Sequence, residues 1–137
     1  MPDTIFTKLL RGDFPCAKVY EEALIFAFMD AGQVNDGHVI VASKHPYPTL
    51  LDADEATAVA LMRVAHRVAR AVQAAFAPEG MTILQTNGVA GWQTVPHLHL
   101  HVLPRYANDG VSLTWPRKEP GMPRLLELAA KLQIQAG

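Results

Sequence analysis

The rhythm of apolar and polar positions changes several times along this chain, and each rhythm predicts an element. Ile5, Phe6 and Leu9 share the apolar side of a short helix over Thr4–Leu10, which Gly12 and Pro15 close. Lys18–Glu21 and Leu24–Asp30 read as two strands joined by a tight turn at Glu21–Ala23, and His38–Ala42 as a third after the loop AGQVNDG. His45-Pro46-Tyr47-Pro48 is another loop. From Asp52 the period becomes helical: Leu61, Val64, Val68, Val72 and Ala75 form one stripe, while Arg63, Arg67 and Arg70 form a basic face that reads as solvated. Asp52 and Glu55 resemble a capping box, and Pro78 and Gly80 end the helix. His66, on the same helix, reads as a surface or packing residue.

MTILQTN is a fourth strand, GVAGWQTVP a glycine-containing turn, and TVPHLHLHVLPR a fifth strand in strict alternation. Beyond Arg105 the chain is irregular until Pro123 opens a final helix with Leu125, Leu128 and Leu132 on one stripe. The order α-β-β-β-α-β-β-α implies an α+β fold, with an antiparallel sheet covered by helices on one face.

The fifth strand carries the chemistry. Alternation sends Leu98, Leu100 and Val102 into the core and aligns His97, His99 and His101 on the other face, about 6.5–7 Å apart. Pro96 and Pro104 should bracket this strand, since neither suits a central one. Three readings stand. The histidines are a solvated row, or they ligate a metal with a carboxylate from elsewhere. In the third, one imidazole attacks phosphorus while its neighbours hold phosphate oxygens and assist the leaving group. We favour the third, because it needs several imidazoles on one rigid surface.

Composition narrows the surroundings. A chain of 137 residues, half of them apolar, makes one domain with one core. The net charge of −1 gives no electrostatic reason to expect nucleic-acid or membrane partners. Cys16 is the only cysteine, so neither an internal disulfide nor a Cys-x-x-Cys metal site is available. The charged N-terminus lacks the apolar core of a signal peptide, and ALIFAFM is too short to span a bilayer. A soluble, cytoplasmic protein is the expectation.

At QTVPHLHLHVLPR the sequence resembles the histidine-triad (HIT) nucleotide hydrolases and transferases. The resemblance is strong over residues 1–105 and loose over the irregular tail and final helix, 106–137, within a single domain. It implies a five-stranded antiparallel sheet with a long helix and short terminal helices, usually paired as a homodimer. It also implies attack by His99 on the α-phosphorus of a purine nucleotide, giving a nucleotidyl-histidine that water cleaves. His101 would bind phosphate oxygens and assist the leaving group. His97 would orient His99 through its carbonyl and contact His38. By the same resemblance Asp30 faces the ribose, Asn87 the ribose or the α-phosphate, Gln93 and Thr94 the phosphate oxygens or the leaving group, and Ile5, Phe6, Leu9, Phe28 and Ile40 the base. No cofactor is implied beyond magnesium carried by a polyphosphate substrate.

Three positions depart from the family pattern. Some members begin with a Cys-x-x-Cys that binds structural zinc; Thr4 and Thr7 stand there, so no metal site is expected and His45 is left an ordinary loop residue. Trp92 occupies a position where glycine usually precedes the glutamine, and Pro96 is unusual before the triad.

Overall fold

The computed structural model describes residues 2–137. Five strands form one antiparallel sheet in the order β1-β2-β3-β5-β4. They are β1 (Lys18–Glu21), β2 (Ile25–Met29), β3 (Val39–Ser43), β4 (Gly80–Gln85) and β5 (His99–Arg105). The helices are α1 (Ile5–Arg11), α2 (Glu55–Phe76) and α3 (Met122–Ala130). The α+β class and the element order agree with the sequence. None of the described helices is long and apolar enough to cross a membrane.

The sheet separates two cores. On one face the stripe Leu61, Val64, Val68 and Val72 of α2 packs on Ile25, Ala27, Val39, Val41 and the β5-side residues Leu98, Leu100 and Val102. Each such side chain, fully buried, contributes about 1.5–3 kcal/mol. Ala75, expected on that stripe, is exposed. On the other face Phe6 of α1 packs on Phe26, Phe28, Ile40 and Ala42. Helices therefore cover both faces, contrary to the expectation of one. Phe6 and the continuous apolar run of β2, buried on both sides, explain the second layer.

Local chemistry corrects several boundaries. α2 is capped by Asp54, whose Oδ1 accepts from Thr57 N–H at 2.8 Å; Asp52 instead accepts from the N–H and hydroxyl of Thr49. The helix ends on Ala77 in the left-handed region (φ 46°), and Gly80 already belongs to β4. The basic face of α2 is not merely solvated: Arg63 binds Glu22 and Arg67 donates to the Tyr20 hydroxyl, fastening the helix to the β1–β2 hairpin.

Pro104 lies inside β5, opposite Met81, and does not bracket it. Pairing with β3 stops at Val102, so the missing N–H removes no ladder bond, and the Pro104 carbonyl accepts from Asn35 Nδ2 at 2.8 Å. α3 carries Leu125 and Leu128 of the expected stripe, Leu132 falls past its end, and all three are exposed.

Candidate active site

Register places the site. Ile40 pairs with His101 and Ala42 with His99, so these two histidines share the Phe6 face of the sheet. His97 precedes the strand, at the end of the connection from β4. That histidine row is not a solvated surface: His97 is 0% and His99 and His38 are each 4% exposed, and only His101 is partly open. The Phe6 ring lies edge-on to His99 and His97, with centroids 4.8 and 5.4 Å away.

Hydrogen bonds fix the protonation of these four imidazoles. His97 Nε2 faces the Ser43 carbonyl at 2.6 Å and must donate, so its Nδ1 accepts from the Thr4 hydroxyl at 2.6 Å. His99 Nδ1 donates to the His97 carbonyl at 2.6 Å, which leaves the lone pair on Nε2. His38 Nδ1 faces the N–H of Val34 at 3.4 Å, so its proton sits on Nε2 and is given to His101 Nδ1 at 2.9 Å. The proton of His101 is thereby placed on Nε2, and the partner of His38 is His101, not His97 as the resemblance implied. Two adjacent imidazoles thus carry opposite tautomers: His99 presents a lone pair and His101 an N–H. Every fully enclosed polar side-chain atom among the described residues has a partner, and these two Nε2 atoms have none, so both reach solvent.

Burial keeps these groups uncharged. It lowers the pKa of His38, His97 and His99, and it lowers that of His101 to about 4, with His99 and His38 adding to the effect. Asp30 opposes the shift; its Oδ2 lies 3.6 Å from His38 Nε2 and 3.9 Å from His101 Nδ1. Asp30, His38 and His101 are the one group among the described residues whose ligand atoms lie close enough to hold an ion. The second nitrogen of His38 fits that use poorly, because it faces an N–H donor where a metal-bound imidazole needs an acceptor.

The other expected residues divide. Leu9, Phe28 and Asp30 line a cavity of about 220 Å³ against Pro15, Cys16 and Ala31, while Phe6 and Ile40 form the wall behind. Ile5 is 44% exposed and stands outside that cluster. Asn87 is bonded to Gln85 and to the N–H of Leu50. Gln93 accepts from Gly88 N–H and donates to the carbonyls of Pro48 and Val95, so its amide braces the loop before the triad. Thr94 is exposed.

Sequence reasoning missed two features. Thr4 touches a triad histidine, and only a contact across 93 residues of sequence reveals it. A second cavity of about 220 Å³, almost wholly apolar, opens beside His101 and His38 between Leu84, Leu103 and Val111.

Comparison with known proteins accords with this geometry. The family described as the HIT domain matches residues 11–108. A curated relative, Protein hit of Bacillus subtilis, is 37% identical over 112 residues, covering 81% of this chain and 77% of its own. Adenosine 5'-monophosphoramidase hnt1 of Schizosaccharomyces pombe is 31% identical, covering 82% of each. The crystal structure of a HIT-family member from Bacillus subtilis superposes with a TM-score of 0.91 at 30% identity, over 99% of this chain and all of that one. With the motif, the sheet and the match over residues 11–108 in agreement, the chain belongs to the HIT family.

Proposed function

We propose that the protein hydrolyses purine nucleotides at the α-phosphate through a nucleotidyl-His99 intermediate, with adenosine phosphoramidates as the preferred class. The carrying observation is the bond from His99 Nδ1 to the His97 carbonyl, which leaves Nε2 as a free nucleophile. In the first step Nε2 bonds to phosphorus and the phosphorus–nitrogen bond of the substrate breaks. The modified ring becomes cationic, and the His97 carbonyl stabilises it. His101 holds a phosphate oxygen through Nε2–H. The bound anion raises the His101 pKa, so Nδ1 takes a proton from solvent as the His38 N–H turns toward Asp30 Oδ2, 3.6 Å away, and the ring passes its Nε2 proton to the departing amine. Water then attacks phosphorus, returns a proton to His101 and releases the nucleotide from His99. Asp30 binds the ribose beside the Phe28 and Leu9 cavity that receives the base.

The leaving-group side supports a small amine over a polyphosphate. The cavity beside His101 has an apolar lining, and Arg105 is already spent on Asp109, at 2.8 Å, and on the Val111 carbonyl. Arg117 pairs with Glu119 in an exposed segment. The relative named adenosine 5'-monophosphoramidase points the same way. The test is kcat/KM for an adenosine phosphoramidate and a dinucleoside polyphosphate with one preparation. A tenfold preference for the dinucleotide, about 1.4 kcal/mol, would refute the amine assignment.

We also propose a homodimer. The exposed Val59 and Met62 of α2 and Ile83 of β4 border one apolar groove that a second copy would cover. Light scattering should give twice 15.0 kDa.

A further inference from the structure

We infer that Thr4, the N-cap of α1, is a positioning residue for the nucleophile, acting through His97. The hydroxyl has two partners. It accepts from Thr7 N–H at 3.2 Å as a helix cap, and it donates to His97 Nδ1 at 2.6 Å. The Ser43 carbonyl keeps the His97 proton on Nε2, and the Thr4 hydroxyl occupies the lone pair this leaves on Nδ1. The ring is therefore held at both nitrogens within a site that admits no water, since His97 is 0% exposed. The carbonyl of this residue orients His99 Nδ1. A chain of three bonds, each 2.6 Å, links Ser43 and the first turn of α1 to the attacking ring.

Capping alone does not require this contact. The reciprocal bonds between Thr4 and Thr7 already close the helix, with Thr7 Oγ1 accepting from Thr4 N–H at 2.8 Å and donating to the Thr4 carbonyl at 2.9 Å. The same helix carries Phe6, which packs on His99. α1 thus touches the nucleophile by two routes, one polar through Thr4 and His97 and one apolar through Phe6. Displacing α1 disturbs the position of His99, so helix placement and nucleophile placement are one variable.

The kinetic part of this inference rests on the function proposed above, whereas the hold of Thr4 on the His97 ring does not. Three variants separate positioning from capping. Thr4→Ser keeps both cap and donor. Thr4→Asp caps as well as threonine but, ionised, offers no donor. Thr4→Val removes both. Long-range ¹H–¹⁵N spectra should show His97 protonated on Nε2 and His99 on Nδ1 in the wild type and in Thr4→Ser. Thr4→Val, which removes the donor to Nδ1, should shift the His97 Nδ1 resonance while Ser43 keeps the proton on Nε2, and Thr4→Asp should draw a second proton onto Nδ1. With a phosphoramidate substrate, those two variants should lose about tenfold in kcat at little change in KM, the signature of a misplaced reacting group. Thr4→Ser should stay within about twofold of wild type. Unaltered histidine spectra in Thr4→Val would overturn the assignment, as would full kcat in Thr4→Asp. Absence of turnover by the wild type would instead refute the proposed reaction, leaving the spectra to decide the role of Thr4.

Discussion

The two faces of the sheet are built from the same strands by different means. Beneath α2 the layer is aliphatic, and close packing of Leu61, Val64, Leu98 and Leu100 holds it together without directional bonds. Beneath α1 the layer mixes Phe6, Phe26 and Phe28 with four imidazoles, each fixed by directional bonds: His97 by Thr4 and Ser43, His99 by the His97 carbonyl, His38 by Val34, and His101 by His38. The first face supplies stability and tolerates any side chain of the right shape. The second places protons. On the proposed mechanism, misplacing one of its donors should leave the fold standing and slow the chemistry.

The largest expected effect is on the second face. His99→Ala should reduce turnover by at least about a thousandfold, because no other group carries an unshared, solvent-reaching lone pair beside a donor. Its Tm should remain near that of the wild type. Near-normal turnover would dissolve the distinction between the faces.

The mirror experiment is Leu61→Ala. Truncating a leucine that is 3% exposed should destabilise the fold by about 2–5 kcal/mol in denaturant titration, while kcat of the folded fraction stays unchanged. A parallel loss of kcat would mean that the two faces are coupled through the sheet.

Between pH 7 and pH 5 acid should act chiefly through the imidazole face. Burial holds the folded-state pKa of His38, His97, His99 and His101 below the unfolded value near 6.5, so the unfolded chain binds more protons between those limits. Stability from these groups is complete above about pH 6.5 and declines as pH falls toward the folded-state values. For His101, whose pKa falls to about 4, the loss is on the order of 3 kcal/mol. Unfolding titrations at pH 7 and pH 5 should show this decline, and His38→Gln should reduce it. Stability that is flat between those pH values would contradict the account.

The smallest effect belongs to Trp92, an exposed indole held at φ 76° between the short 3-10 turn Val89–Gly91 and Gln93. A bulky residue in the left-handed region is strained, so Trp92→Gly should gain about 1 kcal/mol of stability. If the indole shapes the leaving-group side, the same variant should also narrow the preference for phosphoramidates over dinucleotides.

The aliphatic face was legible in the sequence because its code is periodicity. The α2 stripe and the Leu98–Leu100–Val102 alternation predicted their own burial and located the strands to within a residue or two. The cap of α2 was misplaced at Asp52, since two aspartates two residues apart offer the same acceptor and only geometry selects Asp54. The second helical layer was missed because Phe6 reads equally well as part of a one-sided cover. On the imidazole face the three aligned histidines were visible, but their protonation was not. It depends on Ser43 against His97 and on His38 against His101, contacts set by tertiary packing. Pro104 failed as a strand end for a related reason: whether a missing N–H matters depends on where the neighbouring strand stops.

The central claim is that His99 forms a covalent bond to phosphorus. Mixing enzyme with an adenosine phosphoramidate labelled at the α-phosphate, quenching within milliseconds in alkaline denaturant and mapping the peptides tests it most directly. Label should appear on the peptide containing His99, chase off with unlabelled substrate, and be absent from His99→Ala. Product formation at a normal rate with no label on that peptide would mean that water attacks phosphorus directly, and that the free Nε2 of His99 serves some other end.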